Sequence, residues 1–406
     1  MILPETGWRT RADLIRLTEA LGAHEGLVRY VGGAVRDALL GHPLSDLDLA
    51  TALLPDEVSR RVKAAGYKAV PTGIAHGTIT AVLPSGPVEV TTLRRDVSTD
   101  GRRATVAFTD DWREDAARRD FTINALSVAP GNLEIFDYFD GLADLEAHRV
   151  RFIGDALTRI AEDHLRILRF FRFHARFGEG DPDPEGLAAC AARANDLMAL
   201  SRERIADEML KLLGLDDPSA TVALMRDRGI LAPVLPEIGA AGVSALAALP
   251  PRERAAGVAP DGVRRLGALL PPDPEVAEGV ARRLRLSNAA RQRLACIAAR
   301  GETAPADPPA LAYRTGLACA IDRLLLDEKL DDPAVAAAVS RLDGWQKPRL
   351  PVTGGMLIAR GLEAGPVVAR TLQAIEAEWI AAGFPEGGDF GAIVERQLVQ
   401  ALRSSQ

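Results

Sequence analysis

The sequence predicts an α+β N-terminal part, a small mixed sheet flanked by helices, followed by an all-α remainder. Three observations carry this. Helix and strand signals are mixed over the first 150 residues, the pattern after Gly154 is almost wholly helical, and 406 residues exceed one ordinary core, so roughly three domains are expected.

Arg11 to Gly22 places Leu14, Leu17 and Leu21 at three- and four-residue spacing, which predicts a short amphipathic helix. Val28 to Val31 is an apolar strand closed by Gly32-Gly33, and Ala34 to Leu40 reads as helix. Asp46 to Ala50 alternates acidic and apolar residues, as a strand with one buried face does. Pro55 to Ala65 is a helix with proline in its first turn. Thr78 to Leu83 and Val88 to Leu93 are strands rich in Thr and Val, separated by the turn Pro84-Ser85-Gly86-Pro87. Further helices are predicted over Leu157 to Phe177, Arg202 to Leu213, Ser219 to Arg228 and Val367 to Ala382. Leu249-Pro250-Pro251 and Leu270-Pro271-Pro272 read as breaks, and Ala304 to Pro309 as a proline-rich linker.

Apolar residues make up 47% of the chain, ample for burial. No run of about 18 apolar residues predicts a membrane span, and Met1 to Gly22 lacks the apolar core of a signal peptide, so a soluble cytoplasmic protein is expected. Three cysteines (Cys190, Cys296 and Cys319) are widely spaced and odd in number. They argue against a disulfide framework or a thiolate metal site and for ordinary buried thiols. The net charge of -7 excludes a chain coated in positive charge. Arginines nevertheless gather over Arg94 to Arg119 and Arg149 to Arg176, which suits polyphosphate or RNA bound along one surface.

Gly32-Gly33 after a strand lets backbone approach a phosphate closely, because no side chain intervenes. Asp46 and Asp48, at i and i+2 on a strand, point to one face and set hard oxygen ligands side by side, as two Mg²⁺ ions require. The plain alternative is a pair of solvent-facing strand residues beside a tight turn. Glu89, on a later strand, is a third carboxylate that could support a metal site or be a polar edge residue.

The run Val31 to Gly41 (VGGAVRDALLG) with Asp46-Leu47-Asp48 resembles the active-site signature of the class II tRNA nucleotidyltransferases, in the polymerase-beta-like superfamily. That family includes CCA-adding enzymes and bacterial poly(A) polymerases. Arg118-Arg119-Asp120-Phe121-Thr122-Ile123-Asn124-Ala125 resembles its second motif, and Glu162-Asp163-His164-Leu165-Arg166 its nucleobase-selecting motif. The resemblance runs nearly unbroken from about Val28 to Gly178.

It implies a nucleotidyltransferase palm over 1–150, a helical neck over 151–214, a helical body over 215–330 and a tRNA-binding tail over 331–406. It also implies roles. Asp46 and Asp48 would hold two Mg²⁺, with Glu89 completing the catalytic carboxylates. Gly32, Gly33, Arg36 and Asp37 would meet the triphosphate, and Arg119, Asp120 and Asn124 would shape the ribose and phosphate pocket. Asp163 and Arg166 would select the base, and Arg169 and Arg172 would reach the triphosphate. The partners implied are CTP, ATP and the tRNA 3′ end, with no membrane and no obligatory protein partner.

Base selection also follows from hydrogen-bond patterns. A carboxylate accepts from the amino group of cytosine or adenine, and a guanidinium donates to the adjacent ring nitrogen. Uracil and guanine reverse both partners. Three residues apart on one predicted helix, Asp163 and Arg166 would be neighbours, and the plain alternative is a helix salt bridge.

Arg94 to Asp111, with Asp100-Gly101-Arg102-Arg103, resembles the family's flexible loop, required for the switch from CTP to ATP; Ala104 stands where proline is common. All six histidines lie within the first 174 residues, so the C-terminal half holds no His-Asp phosphohydrolase domain. His76 is expected to be structural or substrate-positioning. Thr353 to Ile358 resembles the tail of CCA-adding members. The reading is CCA addition to tRNA, with A-only addition, poly(A) addition and a catalytically silent RNA-binding protein as alternatives. The acidic balance and the lack of a basic C-terminal extension weigh against poly(A) addition.

Overall fold

The computed structural model describes residues 2–44, 46–99, 104–301 and 307–404. The chain divides into two compact units, Met1–Pro236 and Glu237–Gln406.

The first unit is built on a mixed seven-stranded sheet. Its strands are β1 (Val28–Val31), β2 (Asp48–Thr51), β3 (Lys68–Gly73), β4 (Thr78–Leu83) and β5 (Gly86–Thr92); β8 (Ser127–Val128) and β9 (Ile135–Phe136) complete it in the order β3-β4-β5-β2-β1-β8-β9. β2 and β5 run parallel, while β1 runs antiparallel to β2. Helices α1 (Ala12–Ala20), α2 (Gly33–Leu39) and α3 (Pro55–Ala64) flank it. α3 packs on β3, β4 and β5, and the predicted apolar stripe of α1 (Leu14, Leu17, Leu21) is buried.

Arg94 to Asp111 departs from the loop expected there. β6 (Arg94–Thr99) and β7 (Ala104–Phe108) pair as an antiparallel hairpin, with an irregularity between Asp96 and Ser98. Asp100-Gly101-Arg102-Arg103 lies outside the described residues.

Helices α4 (Trp112–Ala117), α5 (Gly141–Glu146), α6 (Ala156–Glu162), α7 (Arg166–Phe177), α8 (Pro184–Ala192), α9 (Arg202–Leu213) and α10 (Ser219–Asp227) complete the unit. The single helix expected over Leu157 to Phe177 is two helices. Asp163 takes extended backbone (φ -151°, ψ 106°) and its Oδ1 accepts from the N–H of Leu165 at 3.1 Å. Such a local bond competes with the helical ladder and stops α6. α7 then presents Arg166, Arg169, Arg172 and Arg176 along one stripe, with Phe173 lying among them under Arg169 and Arg172, and buries Ile167, Phe170 and Phe171 away from it. Phe121 packs against Phe152 at 5.0 Å and Phe173 at 5.2 Å, anchoring the second motif to α7.

The second unit is helical: α11 (Ala240–Ala255), α12 (Gly262–Leu269), α13 (Pro274–Arg283), α14 (Asn288–Ala298), α15 (Pro308–Thr315), α16 (Leu317–Leu325), α17 (Asp332–Ser340), α18 (Gly354–Ala359), α19 (Pro366–Ala381) and α20 (Gly387–Ser404). Pro250-Pro251 is not a break, since both prolines lie inside α11. Burial of Val243, Leu246 and Leu249, and ion pairs from Glu253 to Arg264 and Arg265, hold that helix together despite the missing N–H groups. Leu270-Pro271-Pro272 does end α12, with Arg300 donating to the carbonyls of Gly267 and Leu270. Of the proline-rich linker expected over Ala304 to Pro309, residues 304–306 lie outside the described residues, while Pro308 and Pro309 open α15 in the first turn, where proline is tolerated.

Cys296 and Cys319 form a disulfide between α14 and α16, their Cα atoms 6.3 Å apart, contrary to the free thiols expected. The pairing depends on helix packing, which spacing does not reveal. Cys190 is a buried free thiol, pushed far up by burial. No described helix is long and apolar enough to cross a membrane.

Candidate active site

The strand registers assemble one end of the site. β1 antiparallel to β2 sets Val31 opposite Asp48, so the chain leaves β1 at Gly32 beside that carboxylate. β2 parallel to β5 sets Glu89 opposite Asp48 on the other side. Strand β2 begins at Asp48, two residues later than expected, yet the alternation holds: Leu47 and Leu49 are buried while Asp46 is exposed and Asp48 half-buried. Burial and the charge of Glu89 raise the Asp48 carboxyl above its ordinary value; Arg119 opposes the shift and Asp46 adds to it.

A cleft of about 770 Å³ in the first unit is lined by Asp46, Asp48, Glu89, Gly32, Gly33, Arg36, Arg119, Asp120, Asn124, Asp163, Arg166, Arg169 and Arg172. Every anticipated site residue but Asp37 is there. Arg94, Asp115, Arg118, Phe173, Arg176 and Lys211 also line it and were not anticipated. Nine lining residues are Arg or Lys against six Asp or Glu, so the cleft suits a polyanion although the chain is acidic.

Gly32 has φ +68°, a left-handed backbone that favours glycine, and a Cβ there would press on Nη1 of Arg119 at 3.1 Å. Asp37 sits behind Arg36, 1% exposed, with its Oδ1 accepting from Arg36 Nε at 2.8 Å and Nη2 at 2.7 Å. It orients Arg36 and does not face the cleft. Sequence adjacency gave no sign of this, because a helix turns neighbouring side chains about 100° apart.

From Arg36 a chain of hydrogen bonds crosses the site. Its Nη1 donates to Asn124 Oδ1 at 2.5 Å, Asn124 Nδ2 donates to Asp120 Oδ1 at 2.9 Å, and Arg169 Nε donates to Asp120 Oδ2 at 2.7 Å. Burial would raise the Asp120 carboxyl, but Arg169 and Asn124 hold it below its ordinary value. Arg172 Nε donates to Glu208 Oε2 at 2.6 Å, and Glu208 is also 3.8 Å from Arg169. Glu208 is buried on α9; it is one of six charged residues in an ordinary amphipathic helix, so nothing local marked it.

Asp115 is a second hub. Oδ1 accepts from the N–H of Arg94 and from Arg118 Nε at 2.9 Å, and Oδ2 from Arg119 Nη2 at 3.4 Å. Burial pushes its carboxyl up, and Arg119 and Arg118 more than reverse this.

Asp163 and Arg166 share the cleft without pairing to each other by side chains. Asp163 Oδ2 accepts from Arg204 Nη2 at 2.7 Å. Arg166 donates to Glu162 at 2.6 Å and to the carbonyls of Arg159 and Arg118, both at 2.9 Å. The helix salt bridge weighed from spacing is therefore not what these residues form. A guanidinium carries five N–H groups, so donors remain for a base. His76 lies outside this cleft; its carbonyl accepts from Arg94 Nη1.

Among the described residues no three His, Cys, Asp or Glu side chains form a ready metal cage. The donor set nevertheless fits Mg²⁺, which is bound through one or two carboxylates completed by substrate phosphates and water. Burial, and then the charges of Glu89 and Asp46, disfavour the ionised Asp48 carboxyl, and a divalent cation would offset both.

Residues 28–151 match the family described as Poly A polymerase head domain, and residues 181–241 match "Probable RNA and SrmB- binding site of polymerase A". The chain is 34% identical over 390 residues to CCA tRNA nucleotidyltransferase 1, mitochondrial, of Homo sapiens, covering 91% of this chain and 86% of that protein. It is 46% identical over 227 residues to the protein of the same name in Mus musculus, covering 55% of this chain; there it spans only about half (51%) of the relative's length. The crystal structure of the Bacillus stearothermophilus CCA-adding enzyme in complex with CTP superposes with a TM-score of 0.75 at 27% identity, covering 96% of this chain and 98% of that one.

Proposed function

The chain belongs to the family of CCA-adding tRNA nucleotidyltransferases, and we propose that it adds C, C and A to the tRNA 3′ end from CTP and ATP. Each addition joins the 3′-hydroxyl oxygen to the α-phosphorus and releases pyrophosphate, with no nucleic-acid template. The observation that carries this reading is one basic cleft lined by the paired carboxylates Asp46 and Asp48, the network arginines, and Asp163 with Arg166.

Each group has a task its chemistry suits. Arg36, Arg119, Arg169 and Arg172 bind the triphosphate and offset charge that grows on the leaving pyrophosphate. Gly32 lets the main chain approach a phosphate. Asp163 accepts from the exocyclic amino group of C or A, and Arg166 donates to the ring nitrogen beside it; U and G leave both groups unpaired. Asp46 and Asp48, supported by Glu89, are the residues to hold two Mg²⁺, which when bound polarise the α-phosphate and acidify the 3′-hydroxyl.

The match to poly(A) polymerase families keeps a second reading in view, untemplated addition of A alone. End-labelled tRNA transcripts ending in the discriminator base, in C and in CC decide between them when offered CTP, ATP or both. Addition of C, C and A followed by a stop is expected. A long adenosine ladder overturns CCA addition in favour of poly(A) synthesis, and A added only to the CC transcript makes the enzyme A-adding.

A further inference from the structure

Asp163, the base-reading carboxylate, is itself held. Leu165 N–H takes Oδ1 at 3.1 Å through a contact spanning two residues, and Arg204 Nη2 takes Oδ2 at 2.7 Å from 41 residues away. The aspartate terminal torsion is broad and weakly hindered, so one local bond leaves the carboxylate free to turn. A second bond, on the other oxygen, sets its plane.

Arg204 comes from α9, which packs along α7. Residues 204, 208 and 211 share one face of α9 by helical spacing. Glu208 on that face binds Arg172, and Lys211 lines the cleft, so this face of α9 meets the site at three positions. The side chains of Arg204 and Asp163 are 32% and 30% exposed. An ion pair that open contributes little to folding, which points to orientation as its use.

We propose that Arg204 is a positioning residue for nucleobase selection, fixing the Asp163 carboxylate so that its acceptor meets the amino hydrogen of C or A and opposes the carbonyl of U or G. This rests on the reading of Asp163 given above. Arg204 acts through Asp163 and touches no base.

The test is single-nucleotide incorporation by the full-length protein on a tRNA transcript, with kcat/KM measured for CTP, ATP, UTP and GTP. Arg204→Ala is expected to lower the preference for CTP over UTP roughly tenfold. Arg204→Lys, which keeps a donor, is expected to restore most of it. Added to Asp163→Ala, the Arg204 change is expected to alter selectivity no further. Unchanged preference in Arg204→Ala overturns the proposal, as does an equal loss for all four nucleotides accompanied by a lower Tm, or a double variant less selective than Asp163→Ala. Should Arg204→Ala not fold, Arg204→Gln is measured in the same way, and an unaltered ratio there overturns it too. A wild-type enzyme with no preference among the four nucleotides would instead overturn the CCA-adding reading itself.

Discussion

Asp48 lies directly opposite Glu89 across the parallel pair β2–β5, and with burial this neighbour holds the Asp48 carboxyl above its ordinary value. The sheet therefore spends stability to keep negative charge in one place, a cost that makes sense where a cation is to be bound.

Asp46→Ala or Asp48→Ala is expected to abolish incorporation while nucleotide binding partly survives, since the cleft arginines remain. Glu89→Gln should be milder, raising the Mg²⁺ concentration needed for half-maximal rate by roughly 10–100-fold, the usual effect of a group supporting metal ligands. A Mg²⁺ titration of each variant checks this. Full activity in Asp48→Ala, or an unaltered Mg²⁺ requirement in Glu89→Gln, would sink the assignment.

Arg166 is fixed by Glu162 and two carbonyls, so its remaining donors are preorganised. Arg166→Ala is expected to admit UTP and GTP, with discrimination reduced by an unpaired polar group's worth, about 1–3 kcal/mol. Misincorporation measured against CTP reads this directly. Unchanged selectivity would leave Arg166 a structural residue.

What was legible in the sequence was local. Gly32-Gly33 and the alternation at Asp46-Leu47-Asp48 are written within a few residues of the strands that carry them, and the registers of β1, β2 and β5 bring them together. Arg204, Glu208 and Asp115 act through contacts dozens of residues away or through buried ion pairs, and their sequence neighbourhoods are ordinary. The break at Asp163 was missed for the opposite reason, because one side-chain bond to Leu165 outweighs the helical periodicity around it. The resemblance puts Asp37 at the nucleotide, yet its side chain is buried and bonded to Arg36.

Asp120 links stability to pH. Its folded carboxyl lies below the ordinary 3.8 because Arg169 and Asn124 outweigh burial. Above about pH 5 both folded and unfolded forms are ionised and the stabilisation is fully present; as pH falls through the unfolded value toward the folded one, the unfolded chain takes up the proton first and the stabilisation is lost. Asp120→Asn should therefore fall furthest below wild type near neutrality, and the gap should narrow below pH 4. Urea midpoints at pH 7, 5 and 3.5 measure it. A gap independent of pH would show that the Asp120 charge contributes nothing to the fold.

In the second unit, Glu253 is 1% exposed and serves two buried guanidiniums, accepting from Arg264 Nη1 at 2.7 Å and Arg265 Nη2 at 2.6 Å. Arg264 also donates to Asp322 at 2.8 Å, and Asp322 in turn accepts from Arg293 at 2.6 Å, so the network ties α11, α12, α14 and α16. Glu253→Ala removes a carboxylate from two charges that cannot reach water. The expected loss is on the order of 3–5 kcal/mol, the range for breaking a buried pair from one side. Glu253→Gln, which keeps an acceptor without the charge, should lose less. Thermal and urea unfolding of the three proteins decide it: a Glu253→Ala loss below about 1 kcal/mol, the scale of an exposed pair, would mean that water already reaches these arginines.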